Sequence, residues 1–395
     1  YAVTSFLNGC NSFGTDGTAY VTVNVNPRPT ALLSQDQYVC YGGTATFTVR
    51  FTGNGPYRFT LFNGTTSTVY NNITPNASGD YTFSLPNMTA TRTYSITALN
   101  DSRCTAIGSD ISGTVTVTVL DGTPGLWTGL ISTDWFDCRN WQRGLPSATI
   151  DAVIPNGSPR MPVIDPLSPY AAAYSYIATA RDVVINSAAS LTMAANSHLH
   201  VKRNWMNSGT FIPGTGNVTF NSSTNAMIQN LNTAANTNPF ENFYNLIVNN
   251  SNGAVGVTTP DAFQLTVANT LTLTNGDLRL TGEAQLVQNG NLPNPMAGTG
   301  NLLRDQQGTK SSFHYNYWSS PVSLNGTNYS VAAILRDGTN AASNPFNPGT
   351  ISFGDGYSYS DGPLSSPIKI SNRWIYKYTT VSTSYSSWQE VGSIG

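Results

Sequence analysis

Short apolar triplets separated by small polar residues fill the middle of the chain, and few folds can use them. They read "VVI" at 183–185, "LTM" at 191–193, "LHV" at 199–201 and "VTF" at 218–220. They continue as "LIV" at 246–248, "VGV" at 255–257, "LTV" at 265–267, "LTL" at 271–273 and "LRL" at 278–280, then Leu286-Val287. In a strand, each triplet puts two apolar side chains on one side and one residue on the other. One such strand cannot bury its face alone. Stacked coils can, and Asn-rich turns stack into ladders. The pattern predicts a parallel β-helix, or solenoid, over residues 166–310, with a further pair of β-sandwiches as the alternative.

The rest of the 395 residues agrees with an all-β chain of two to four domains. Only 10% of residues are charged, and the polar surface is Asn, Thr, Ser and Gly, which favour turns and strands over helices. A net charge of -2 argues against nucleic-acid or anionic-membrane partners, since a row of phosphates needs cations. No apolar run is long enough to predict a transmembrane segment. No signal peptide is visible, and the chain reads as an excerpt of a longer protein.

Ahead of the triplets lies an internal repeat. "YAVTSFLNGCNSFGTDGTAYVTVNV" at 1–25 reads like "YSITALNDSRCTAIGSDISGTVTVTV" at 94–119, with Cys10 to Val25 spaced as Cys104 to Val119. The offset of Tyr94 from Tyr1 sets a period of about 93 residues, the length of a tandem β-sandwich unit. Residues 1–29 are then the C-terminal part of one Ig-like repeat and residues 30–121 a complete Ig-like sandwich. Within it, Ala45, Phe47 and Val49 alternate as inward positions, and Asn63-Gly64 marks a hairpin turn. Cys40 near an early strand and Cys104 near a late one suggest a disulfide and an oxidising compartment, with buried free thiols as the alternative. Cys10 occupies the place of Cys104, and Cys138 has no evident partner.

Residues 122–165 change texture, with Trp127, Trp135 and Trp141 close together and no strand period. They predict a junction or cap that plugs a core, or a platform on which sugars stack; the cap is preferred. Residues 311–395 read as a further β-sandwich module, incomplete at its end. Chemistry is sparse. Asp134 with Asp137, and Asp355 with Asp361, are turn formers or a Ca²⁺ pair, and the turn reading is preferred. His198 and His200 share a strand face and could grip a metal, but no third ligand is apparent. No nucleophile, zincin or phosphate-loop motif occurs. Neither cofactor nor metal is expected, and the chain is read as non-enzymatic. A polysaccharide lyase or hydrolase would need a charged groove, for which Asp277 and Arg279 are the nearest candidates.

Certain phrases resemble a known group. These are "WTG" at Trp127, "STDW" at Ser132, "NW" at Asn140, "GLP" at Gly144 and "VIP" at Val153, then "FYNLIVNNS" at 243–251 and "LTLTNGDL" at 271–278. "YNYWSSPV" at 315–322 and "WIYKY" with "WQEVGS" between 374 and 393 follow. Over roughly residues 122–395 the chain is similar to large secreted surface adhesins of Bacteroidota, including the giant gliding adhesins of flavobacteria. The resemblance implies export by the type IX secretion system and attachment outside the outer membrane through partners of that system. Its expected role is surface adhesion, with gliding motility and surface glycans as implied associations. The alternative is a carbohydrate-binding or polysaccharide-degrading β-helix protein. No catalytic residue carries over.

Overall fold

Strands account for nearly all regular structure in the computed structural model. It describes residues 26–230, 239–251, 255–289, 298–308, 314–318, 330–338, 345–355, 367–378 and 388–391. The chain is all-β: among the described residues the single α-helix is one turn, Val331–Ile334. It forms two compact units. The first comprises residues 1–37, 44–86 and 91–118; the second comprises 38–43, 87–90 and 119–395.

Strands β1 (Thr30–Ser34), β2 (Gln37–Val39), β3 (Gly43–Thr52), β4 (Tyr57–Phe62) and β5 (Ser67–Ile73) come first. They are followed by β6 (Asp80–Met88), β7 (Arg92–Asn100), β8 (Ile111–Ser112) and β9 (Thr114–Val119). In the first unit one sheet runs β6-β3-β1-β8 and another β9-β7-β4-β5. Ala45, Phe47 and Val49 alternate inward on β3 as the sequence predicts, and Phe51 continues the row. Phe47 packs edge-on against Tyr94 of β7 at 4.8 Å, and Phe51 stacks on Tyr57 of β4 at 4.7 Å, so both sheets share one apolar filling. Asn63 opens the β4–β5 connection: its side-chain oxygen accepts the Thr65 and Thr66 N–H groups at 3.0 and 2.8 Å. Residues 63–66 form the loop, longer than a two-residue Asn-Gly turn.

The predicted Cys40–Cys104 pairing is not made. Cys40 bonds to Cys138, Cα to Cα 5.6 Å. Cys40 sits in the 38–43 segment of the second unit, as Cys138 does. Cys104 lies in the turn after β7, its N–H held by Asp101 Oδ1 at 2.6 Å and its Sγ near Asn26 O. Neither Cys40 nor Cys104 occupies an inward strand position, so lying near an early and a late strand did not make them neighbours. Cys10, and most of the repeat remnant at 1–29, lie outside the described residues.

The second unit is built of parallel strands in three stacks. The first stack is β10 (Ala152–Ile154), β13 (Val183–Ile185), β16 (Trp205–Asn207), β19 (Ala226–Asn230), β21 (Val257–Thr259), β23 (Leu278–Leu280) and β25 (Leu302–Arg304). The second is β11 (Val163–Ile164), β14 (Ser190–Met193) and β17 (Thr210–Ile212). The third is β12 (Ile177–Ala180), β15 (His198–Val201), β18 (Asn217–Phe220), β20 (Phe240–Asn249), β22 (Gln264–Asn275) and β24 (Gln285–Gln288). The chain visits the three stacks in turn through β18. Thereafter it alternates between the first and third, and the long β20 and β22 pair along both their halves, past a register shift at Phe243/Asn245. The stacks start at β10 and β11, inside residues 122–165 and ahead of the predicted boundary at 166.

One continuous core runs from Trp127 to Ala284. Around it, polar side chains tie coil to coil. The residue just before each strand of the first stack is Asp151, Asp182, Asn204, Asn225, Gly256, Asp277 or Asn301. Asp151 Oδ1 accepts the Asp182 N–H, Asp182 Oδ1 the Asn204 N–H, Asn225 Oδ1 the Gly256 N–H and Asp277 Oδ1 the Asn301 N–H, at 2.7–3.3 Å. Gly256 breaks the series because a Cβ there would strike Asp277 O and the Phe346 ring. Over residues 311–395 the described strands form short pairs: β26 (Arg336–Asp337) with β27 (Gly349–Thr350), β28 (Ser352–Gly354) with β29 (Lys369–Ser371), and β30 (Tyr376–Tyr378) with β31 (Trp388–Glu390).

Candidate functional site: an aromatic cap and its cleft

Residues 122–165 close the start of the three stacks. Trp127, Trp135 and Trp141 are each 1% exposed and pack edge to face, with ring centroids 4.8 and 4.7 Å apart. An indole buried in this way presents no face to a sugar, so the three fill the core end rather than form a stacking platform. Two of the indole N–H groups bond to backbone: Trp127 Nε1 donates to Arg160 O and Trp141 Nε1 to Trp135 O, both at 2.7 Å. Gly129 of the "WTG" phrase holds φ +61°, and a Cβ there would run into Arg160 O. Asn140, fully buried, makes four hydrogen bonds. Its amide donates to Ser132 Oγ and Asp134 O, and its oxygen accepts the Ile131 and Ser132 N–H groups, all at 3.0 Å.

The cap continues two of the stacks by backbone pairing. Trp127 N–H donates to Val153 O at 2.9 Å and Val153 N–H to Gly125 O at 3.0 Å, extending β10. Trp135 N–H donates to Val163 O at 3.1 Å and Val163 N–H to Thr133 O at 2.7 Å, extending β11. Beside β12 the cap leaves a cleft of about 450 Å³. Its lining comprises Trp135 and Phe136, residues 145–148, Tyr174 and Ile177 to Thr179. Tyr174 is 41% exposed and stacks on Phe136 at 5.9 Å. Ser175 and Tyr176 both hold left-handed backbone (φ +54° and +62°), a costly bend that delivers the chain into β12. The cleft is lined by no charged residue.

The remaining sequence candidates are engaged in structure. Asp134 accepts the Phe136 N–H and the Ser168 hydroxyl, and Asp137 pairs with Arg139, whose guanidinium also reaches the Tyr170 hydroxyl. Both are turn formers. Asp355 accepts Asn372 Nδ2, and Asp361 lies outside the described residues. His198 is exposed; His200 is half-buried, sits 3.1 Å from Asn221 Nδ2, and has its pKa lowered by burial and then by Lys202 and His198. Among the described residues no three His, Cys, Asp or Glu side chains are grouped to hold a metal. Asp277 and Arg279 are buried, the first bonded to Asn301 and the second to Asp305 and Pro345 O.

The sequence reading missed Glu241, 3% exposed within β20. Its Oε2 accepts Trp205 Nε1 at 2.7 Å and Asn207 Nδ2 at 2.8 Å, and its Oε1 accepts the Asn242 N–H at 3.1 Å. Burial raises its pKa to about 7 against the pull of those three donors. The sequence signal was available: Asn207 and Glu241 both stand at inward strand positions, where one polar group needs another. No helix among the described residues is long and apolar enough to cross a membrane. No protein-family model matches the chain, and no curated protein is significantly similar to it.

Proposed function

We propose that this chain is a non-enzymatic stalk segment of a surface adhesin, in which an Ig-like sandwich leads into a capped parallel β-helix. The observation that carries the reading is the closure of the strand stacks by a tryptophan-filled cap tied down by the Cys40–Cys138 disulfide. A disulfide suits an oxidising exterior. A stack plugged at its start transmits load along its backbone ladders and leaves its surface to polar, uncharged side chains. With the sequence resemblance, this supports export by the type IX route and residence on the outside of the outer membrane.

Labelling of intact producing cells with a membrane-impermeant amine reagent, followed by peptide mapping, tests this. Tagged Lys202 and Lys369 peptides on unbroken cells, within a much longer native polypeptide, are expected. Labelling that appears only after lysis sinks the reading.

A second reading, carbohydrate binding, is favoured by one feature. Tyr376 and Tyr378 share a face of β30, Tyr378 pairs with Trp388 of β31, and Tyr317 lies 5.9 Å from Trp388. All four are exposed. Sugar affinity that disappears in Trp388→Ala would favour that reading.

A further inference from the structure

The cap treats the three stacks unequally, and the difference can be followed atom by atom. The outer edges of β10 and β11 are paired by residues 125–127 and 133–135. The outer edge of β12 receives no such strand. Lys202 N–H donates to Ala180 O, and β12 pairs with β15 in parallel, Ala178 opposite Leu199 and Ala180 opposite Val201. In a parallel ladder the backbone groups of alternate residues point the same way. Ala178 and Ala180 therefore turn theirs to β15, and Ile177 and Thr179 turn theirs outward. No protein group among the described residues bonds to the Ile177 or Thr179 backbone on that side. The same two residues line the cleft. Pro146, also in the lining, has no N–H to offer.

We infer that the β12 edge and its cleft form a docking site for an extended, uncharged peptide segment that adds as a strand to the third stack. The edge offers two N–H donors and two C=O acceptors in strand order, on residues about 6.6 Å apart along the strand. Only another peptide backbone supplies matching acceptors and donors with that repeat. A strand laid there would set one row of side chains against a lining that includes Phe136 and Leu145, so that row should be apolar. The lack of charge around the cleft disfavours acidic or basic side chains in the same places. The site extends the pairing by which the cap already closes the other two stacks. It goes beyond the stalk reading, which needs no ligand.

The test uses the whole chain and a blocked hexapeptide copying residues 217–222, NVTFNS, an uncharged strand sequence of the same stack. Hydrogen exchange at the Ile177 and Thr179 amides is expected to slow at least tenfold at saturating peptide. A version N-methylated at alternate amides should give no protection, because it keeps the side chains and loses the backbone donors. Ala148→Arg, an exposed change on the cleft lining, should abolish protection while leaving the melting temperature unchanged. Unchanged exchange with the parent peptide overturns the inference. So does equal protection by the N-methylated peptide or in Ala148→Arg, and so does protection of these amides by cellohexaose or maltohexaose in place of the peptide.

Discussion

Glu241 shows what one polar side chain costs and specifies inside this fold. Its carboxyl is raised from the ordinary 4.5 to about 7 because burial penalises the charge more than Trp205, Asn207 and the Asn242 N–H relieve it. Between those two values the folded chain holds a proton that the unfolded chain has released. Stability therefore falls as pH rises from about 4.5 to about 7, and a shift of this size corresponds to about 3 kcal/mol. Asp277 is shifted upward by burial in the same sense, so the informative quantity is a difference between proteins. Glu241→Gln should lose about 1 kcal/mol at pH 5, where its amide meets the Asn242 N–H in place of an acceptor. At pH 8 it should equal or exceed the parent. Urea unfolding of both proteins at the two pH values checks this; parallel pH profiles would show that Glu241 does not titrate in the window.

At the level of strands, legibility followed side-chain volume. The triplets at 183–185, 191–193, 199–201 and 218–220 fall within β13, β14, β15 and β18, because two bulky inward residues mark a strand without ambiguity. β12 was invisible: Ile-Ala-Thr-Ala buries small side chains. β16 was invisible because its inward Asn207 serves Glu241. "VGV" at 255–257 marked the right place, but the strand starts at Val257. The ladder of Asp and Asn ahead of the first stack was foreseen only as a tendency of Asn-rich turns, since its register depends on irregular coil lengths. Asp182 is its most loaded member, nearly buried, accepting the Asn204 N–H and pairing through both oxygens with Arg203. Asp182→Ala should cost about 2 kcal/mol, mostly from the stranded Asn204 N–H, because Arg203 is itself well solvated. Asp182→Asn keeps the backbone bond, as Asn225 does in its coil, and should cost clearly less. Equal losses in thermal unfolding would assign the stabilisation to the ion pair instead.

For the molecule as a whole, the decisive covalent link was the one that spacing could not reveal. Repeat logic matched Cys104 to Cys10 and left Cys138 unassigned, yet pairing depends on which segments share a packed unit. The 38–43 segment belongs to the second unit, where Gly42 N–H donates to Met88 O and the guanidinium of the cap residue Arg143 lies over the Tyr41 ring at 5.3 Å. The Cys40–Cys138 link joins positions 98 residues apart, which in the chain-entropy account is worth about 5 kcal/mol. Cys40→Ser, Cys138→Ser and the double variant should therefore destabilise the second unit alike, by about that amount, because either change removes the same bond. Each should shift the tryptophan emission to the red at a lower temperature, since Trp127, Trp135 and Trp141 report on the cap. Cys104→Ser, in a half-exposed turn, should change stability by less than about 1 kcal/mol. Non-reducing peptide mapping gives the independent readout: one peptide pair containing Cys40 and Cys138. A loss in Cys104→Ser matching that in Cys40→Ser, with no such peptide pair, would return the disulfide to the Cys40–Cys104 pairing. It would also remove the feature on which the proposed stalk role rests.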